Sequence, residues 1–185
     1  MSFSFKILEG EVAYTGTELR SGWVAARTAV SGDAAAGFVG PCHVPNENLV
    51  DLDDARAGFF IKAASMAHVI AEHACTLDVA VLRQRVLVAI LGELLRARGK
   101  RMRRDGDDLY YDDRKLTVSI AAPSSASTCV IHLGINIDPA GAPVPAVGLL
   151  EMRQEPREVL HDLLTRYASE LSSVAHAATK VRTVS

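Results

Sequence analysis

Cysteine is scarce in this 185-residue chain: Cys42, Cys75 and Cys129 are the only three, and no two of them form a C-x-x-C pair. That count and spacing argue against a disulfide framework and against a structural zinc site, and leave the expectation of reduced thiols in a cytoplasm. Aromatic residues make up only 5%, with a single tryptophan, Trp23, so the chain is poor in stacking platforms for bases. Charge of one sign is also missing. A net charge of -2 with a pI near 6.3 provides no field to draw in nucleic acid or an anionic membrane. No apolar run approaches the ~18 residues that span a bilayer, and the first residues, MSFSFKILEGEVAYTG, lack a basic start followed by an apolar core. A soluble intracellular protein is therefore expected, without a membrane partner. At 49% hydrophobic residues it can bury a sizeable core, and 1–185 is expected to form a single domain.

The richest stretch runs from Gly106 to Ile137, GDDLYYDDRKLTVSIAAPSSASTCVIHLGINI, and predicts two long strands joined by a small-residue loop. Leu116, Val118 and Ile120 alternate with Lys115, Thr117, Ser119 and Ala121, the period of a sheet with two chemically different faces. Before it, Ser4 to Leu8, Glu11 to Tyr14, Trp23 to Val30 and Ala34 to Val39 are β-prone, and Gly40-Pro41 predicts a turn. From about Asp53 to Cys75 the pattern predicts a helix opened by Asp51, Asp53 and Asp54, with His68 and Glu72 on its solvated side. A second helix from about Asp78 to Arg98 is apolar all round at Val86 to Leu91, and Gly99 ends it. Val147 to Met152 predicts one more strand. After Pro156 a last helix carries an apolar stripe through Val159, Leu163, Tyr167, Val174 and Ala178. Strands, two helices, strands and a closing helix do not alternate as βαβ units do. An α+β fold with a mixed, mainly antiparallel sheet backed by helices fits better than a doubly wound sheet.

Six separated motifs identify the chain as a member of a prokaryotic family catalogued as domain of unknown function 366: TGTELRSGW at 15–23, GD with FVGPCHV at 32–44, VDLDDARAG at 50–58, RQRVLVAI at 83–90, GDDLYYDDRKLTVSIA at 106–121 and IHLGINI at 131–137. More distantly, DDRKLTVSIA followed by IHLGINI resembles the central strands of biotin and lipoate protein ligases and lipoyl (octanoyl) transferases, where a G-R-K-I/L-x-G-x strand precedes one reading H-G-x-x-L/I-N-V/I. GDAAAGFVGP is similar to their glycine-rich segment. The resemblance implies the fold those ligases share with class II aminoacyl-tRNA synthetases. It also implies a lysine at the carboxyl or acyl-phosphate end of a ligand, matched here by Lys115, and a tunnel wall matched by Gly32, Gly37 and Gly40. The chain departs from the pattern in having VPAVG at 144–148 where the transferases carry a cysteine turn. It also lacks the arginine-rich biotin loop, has Gly32-Asp33 for a double glycine, and has Val39 before Gly40-Pro41.

Lys115 is thus either a solvated charge at a hairpin end or a fixed cation beside a ligand, and with the resemblance it becomes the leading catalytic candidate. His132 and Asn136 share one strand face with Gly134 and join it, His132 as a catalytic candidate and Asn136 as a ligand contact. Arg20 and Arg27 are candidate second cations, and Asp33 belongs with the glycine segment. Cys42-His43 has the residue types of a nucleophile and base, but neighbours in sequence rarely face each other. No metal-ligand set is visible. The basic run of Arg96, Arg98, Lys100, Arg101, Arg103 and Arg104 supplies a helix end or a grip on phosphate. Three functions are compatible with these residues. The first is a ligase- or transferase-like enzyme that binds a carboxylate or acyl-type small molecule, with ATP or another nucleotide as an optional cofactor. The others are a non-enzymatic small-molecule module and RNA binding through 96–104. A homo-oligomer is left open.

Overall fold

The computed structural model describes residues 3–184. A five-stranded mixed sheet is built from β1 (Ser4–Glu11), β2 (Ala34–Val44), β3 (Ile61–His73), β7 (Thr117–Pro123) and β8 (Cys129–Asp138), in the order β1-β2-β3-β8-β7. β1 pairs with β2 in parallel and every other pairing is antiparallel. A small antiparallel sheet of β4 (Met102–Asp105), β5 (Asp108–Tyr111) and β6 (Arg114–Lys115) leads directly into β7. Two long helices, α3 (Leu77–Ala97) and α4 (Pro156–Thr179), cover one face of the large sheet. Turns from 12 to 22 and from 45 to 60, with the short helices α1 (Trp23–Thr28) and α2 (Leu52–Arg56), partly cover the other.

Odd-numbered residues of β3 and β8, among them Val69, Ala71, Ile131, Leu133 and Ile135, face α3 and α4. The even-numbered ones, Met66, His68, Ile70 and Glu72 with His132, Gly134 and Asn136, face the side that the helices leave free, in register with one another. The site is built on that face. On β7 the faces are the reverse of what hydrophobicity suggests. Ser119 points at α3, where Gln84 Nε2 donates to its hydroxyl at 2.8 Å, while Val118 lies on the free face beside Gly134.

Several expectations are corrected. The segment expected as a helix to Cys75 is α2 followed by β3, a strand buried on both faces from Met66 to His73, so no two-residue alternation marks it. His68 and Glu72 are accordingly buried rather than solvated. Trp23 to Val30, expected as a strand, holds α1. The amides of Gly22 and Val24 donate to the Glu72 carboxylate at 2.9 and 2.8 Å, which anchors the start of this helix to the sheet. Gly40-Pro41 is no turn but the bulged middle of β2. β1 runs through Glu9-Gly10, with its register shifted there. Val86 is exposed, so α3 is buried along one stripe only, and Val174 and Ala178 of α4 lie in solvent. Val147 to Met152 is a coil, pinned where the Leu149 amide donates to the Asn136 carbonyl at 2.8 Å.

Glu72→Ala is expected to lower stability by about 2–3 kcal/mol, because the buried Val24 amide and the part-buried Gly22 amide lose their acceptor. Equilibrium urea unfolding reads this directly. A loss below that of an ordinary exposed Glu→Ala change would remove the anchoring role.

Candidate functional site

A cavity of about 220 Å³ opens on the free face of the sheet, with Phe59, Phe60, Met66, Lys115, Val118 and Asn136 in its wall. Lys115 reaches it because its backbone is held on three sides. Its amide donates to the Pro145 carbonyl at 3.0 Å, its carbonyl accepts the Val147 amide at 3.0 Å, and the Asn136 Nδ2 donates to the same carbonyl at 3.2 Å. The ammonium Nζ is 2.8 Å from Asp108 Oδ2, and the two side chains keep 31% and 23% of their surface exposed. Burial raises the Asp108 carboxyl above the ordinary aspartate range, against the pull of Lys115. Burial also raises Asp54 at the rim, helped by neighbouring Asp51 and opposed by Lys115. The wall is mainly apolar, with the Lys115 and Lys62 ammonium groups, the Asp54 carboxyl and the Asn136 amide as its polar members. The one hydroxyl in it, Thr117 Oγ1, already accepts the Leu109 amide at 2.8 Å.

A second, smaller cavity of about 50 Å³ adjoins the first and is lined by Tyr14, Leu19, Val118 and His132 among others. The Tyr14 ring stacks on His132 at 3.9 Å and 11°. His132 Nε2 is 3.1 Å from His68 Nδ1, and His68 in turn stacks on Phe38 at 4.8 Å. Burial pushes His68 down to about 3 and His132 well below the ordinary histidine range, where the neighbouring His68 adds to the effect. His68 Nε2 faces the Gly40 carbonyl, which counteracts this only in part, and makes no hydrogen bond of good geometry. Both imidazoles are neutral near pH 7 and share one proton along their contact. Burial drives the Cys42 thiol up to about 12, so it is no thiolate nucleophile.

The structure brings together Lys115 and Asn136 in one cavity and places His132 in the next. The other candidates lie elsewhere. Arg20 and Arg27 are exposed, with the Arg27 guanidinium 5.6 Å from the centre of the Trp23 ring. Gly32 forms an exposed turn with φ 86°. Asp33 accepts from the Ala74 amide at 2.8 Å and pairs with Arg83 at 3.0 Å and His73 at 3.3 Å, at the end of the sheet where Ala34 pairs with Glu72. Gly37 faces the helices, where a Cβ would sit 3.1 Å from a Leu164 methyl, and Gly40 abuts the backbone of Val12. Of the basic run, Arg96 bonds the Met102 carbonyl, Arg98 pairs with Asp162, Arg103 lies over Tyr110 and Arg104 bonds the Gly106 carbonyl. Among the described residues no cluster of three or more His, Cys, Asp or Glu side chains is arranged to hold a metal ion.

Sequence reasoning gave no site role to Asp108, Asp54, Phe59, Phe60 and Met66, and set His68 with Glu72 on a solvated helix face. The hairpin GDDLYYDDRK carried a signal for the first, since opposite charges at the two ends of a tight hairpin become cross-strand neighbours. His68 could not be found while its strand read as a helix.

Residues 3–182 match the model of a family described as Domain of unknown function (DUF366). A protein of unknown function from Pyrococcus horikoshi has the same fold, with a TM-score of 0.94 and 34% identity over 100% of both chains. A biotin protein ligase from Aquifex aeolicus, solved with biotin and ATP, superposes with a TM-score of 0.59 at 16% identity, over 91% of this chain and 70% of that one. A T. acidophilum protein provisionally described as a lipoate protein ligase superposes at 0.56 with 14% identity, over 93% and 86% of the two chains. The fold is thus that of the biotin and lipoate ligases, as the two central strands implied.

Proposed function

The chain belongs to the family of domain of unknown function 366, and on that premise we propose that it binds a small carboxylate or acyl-type molecule beside Lys115, as a ligase- or transferase-like protein. The observation that carries this reading is the part-buried Lys115 ammonium set into the wall of a mainly apolar cavity, with Lys62 as a second cation in the same lining. A carboxylate there exchanges water for a fixed cation while its hydrocarbon part leaves solvent, and the two gains require both features side by side. In acyl or phosphoryl transfer the same ammonium stabilises the charge that develops on oxygen. The solved ligases that share the fold support this class of ligand, one of them with biotin and ATP bound, and a nucleotide beside the acid is part of the proposal. The attacking group would come from a co-substrate, because Cys42 is a buried thiol and the Thr117 hydroxyl is occupied.

The second reading is a binding module without turnover. The neutral, buried state of His132 favours it, since that imidazole is a poor general base near pH 7.

Calorimetric titration with short straight-chain acids tests the proposal. Lys115→Met is expected to weaken binding about 10- to 100-fold, the usual effect of losing a charged hydrogen bond. Asp108→Asn is expected to strengthen it by freeing the ammonium. Equal affinities in wild type and Lys115→Met would end the proposal. Acid-dependent pyrophosphate release from ATP separates the enzyme from the module.

A further inference from the structure

Val118 lines both cavities, and so do Ile61 and Asp54. Its partner across the β7–β8 pairing is Gly134, which offers no side chain, so the valine overhangs bare strand on the free face. A Cβ placed on Gly134 would lie 3.2 Å from Val118 Cγ1 and 2.6 Å from Met66 Cε, so these two side chains occupy the space that the glycine leaves. Beyond Val118 the floor continues along the same strand face to His132, under the Tyr14 ring. The two cavities are one trough along β8, interrupted at its middle by a valine and an isoleucine.

We infer that this partition sets the length of the molecule the protein accepts: a straight-chain carboxylate lies with its head at Lys115 and its tail toward Gly134, and Val118 with Ile61 stops the tail short of His132. The inference rests on the reading of Lys115 as the carboxylate contact. The orientation follows from the charges at the two ends. The near end has the ammonium. The far end has two neutral features, the His132 imidazole and the Tyr14 phenol, and no lysine or arginine in its lining to offset the carboxylates at its edge, Asp51 on its own side and Asp54 at the junction of the two cavities. An apolar tail is indifferent to those carboxylates, whereas a head group is not. The size follows from the volume. A cavity of about 220 Å³ is somewhat larger than the ~150 Å³ cavity that holds a benzene molecule, which suits an acid of about six carbons. Truncating Val118 to alanine removes two methyl groups at the point where the compartments meet. The opening then runs past Met66, whose Cε lies over Gly134, into the second cavity and adds length rather than width.

The test is a chain-length series from butanoate to decanoate, titrated calorimetrically into wild type, Val118→Ala, Ile61→Ala and Lys115→Met. Wild type is expected to bind best at or below hexanoate. Val118→Ala should move the optimum by about two carbons and raise the octanoate-to-butanoate affinity ratio about tenfold, the effect of burying two more methylenes. Ile61→Ala is the second route to the same opening and should shift the optimum in the same direction. Circular dichroism confirms that each variant is folded. If wild type binds acids through Lys115 but both opened variants keep its length profile, the partition inference falls and the site reading stands. If no acid in the series binds, or Lys115→Met binds them equally, both fall together.

Discussion

On acidification from pH 6.5 to 5.5 the folded state is expected to lose roughly 3 kcal/mol of stability, and roughly 4 kcal/mol more for the next unit. The cause is three histidines buried in their neutral forms, His68, His73 and His132, each no more than 2% exposed. Burial lowers His68 to about 3 and His73 to about 4, and it lowers His132 well below its ordinary range. In the unfolded chain each takes up a proton near pH 6.5. A group with a depressed folded pKa leaves the unfolded state with more protons bound in the window between the two values. Each histidine therefore costs about 1.4 kcal/mol per pH unit there, and the full contribution is present only above pH 6.5. His73 leaves the sum first, near pH 4, while His68 continues to about pH 3. Asp33 acts in the same sense at the acid end. Burial would raise its carboxyl, but the Ala74 amide, His73 and Arg83 outweigh this and hold it low, so its contribution is also lost as pH falls. Against a typical stability of 5–15 kcal/mol, a loss of roughly 5 kcal/mol by pH 5 removes a third or more of the total. Urea midpoints between pH 7.5 and 5 measure the slope, and His132→Gln should remove about a third of it. A flat profile across that range would mean that these imidazoles are hydrated, His68 and His132 on the free face and His73 beneath α4, and their burial would be wrong.

Legibility in the sequence divides along a physical line. Within Gly106 to Ile137, β7 was readable from its alternation and β8, buried on both faces, from its β-branched run and its motif, whereas the hairpin of β5 and β6 ahead of them was not foreseen. α3 and α4 were readable because their buried stripes repeat at helical period. β3 was not, since a central strand between β2 and β8 is buried on both sides and its alanines suit a helix equally well. α1 was missed for a different reason: six residues are too few to mark a helix by period or to hold one alone, and a carboxylate 48 residues away in sequence holds its first turn. Lys115 could be picked out by its motif, yet Asp108, which sets the strength of that cation, could not be weighed without the fold. The pairing of Val118 with Gly134 was equally hidden, because a partition depends on register and β7 shows only its own side of it.

Gly40→Ala is expected to cost about 3 kcal/mol or more, the upper end for overpacking, while Gly37→Ala costs about 1 or less. The contrast arises from what each glycine faces. A Cβ on Gly37 would meet the ends of Leu164, Ile7 and Leu160, side chains that can turn aside by a few tenths of an ångström. A Cβ on Gly40 would fall onto the carbonyl of Val12, a backbone group fixed by its own neighbours: the Val12 amide donates to Val39 at 2.9 Å and the Tyr14 amide to Pro41 at 2.9 Å. The glycine that was expected to make room for a ligand makes room for the chain itself, where the strand after β1 crosses the bulge in β2. That crossing delivers Tyr14 onto His132 and so closes the far end of the trough. Gly40→Ala should therefore also weaken the Tyr14–His132 stack, visible as faster exchange of the Tyr14 amide and a rise in the depressed His132 pKa by NMR titration. Equal unfolding midpoints for the two alanine variants would show that Val12 does not press on Gly40, and the route by which Tyr14 reaches the site would have to be redrawn.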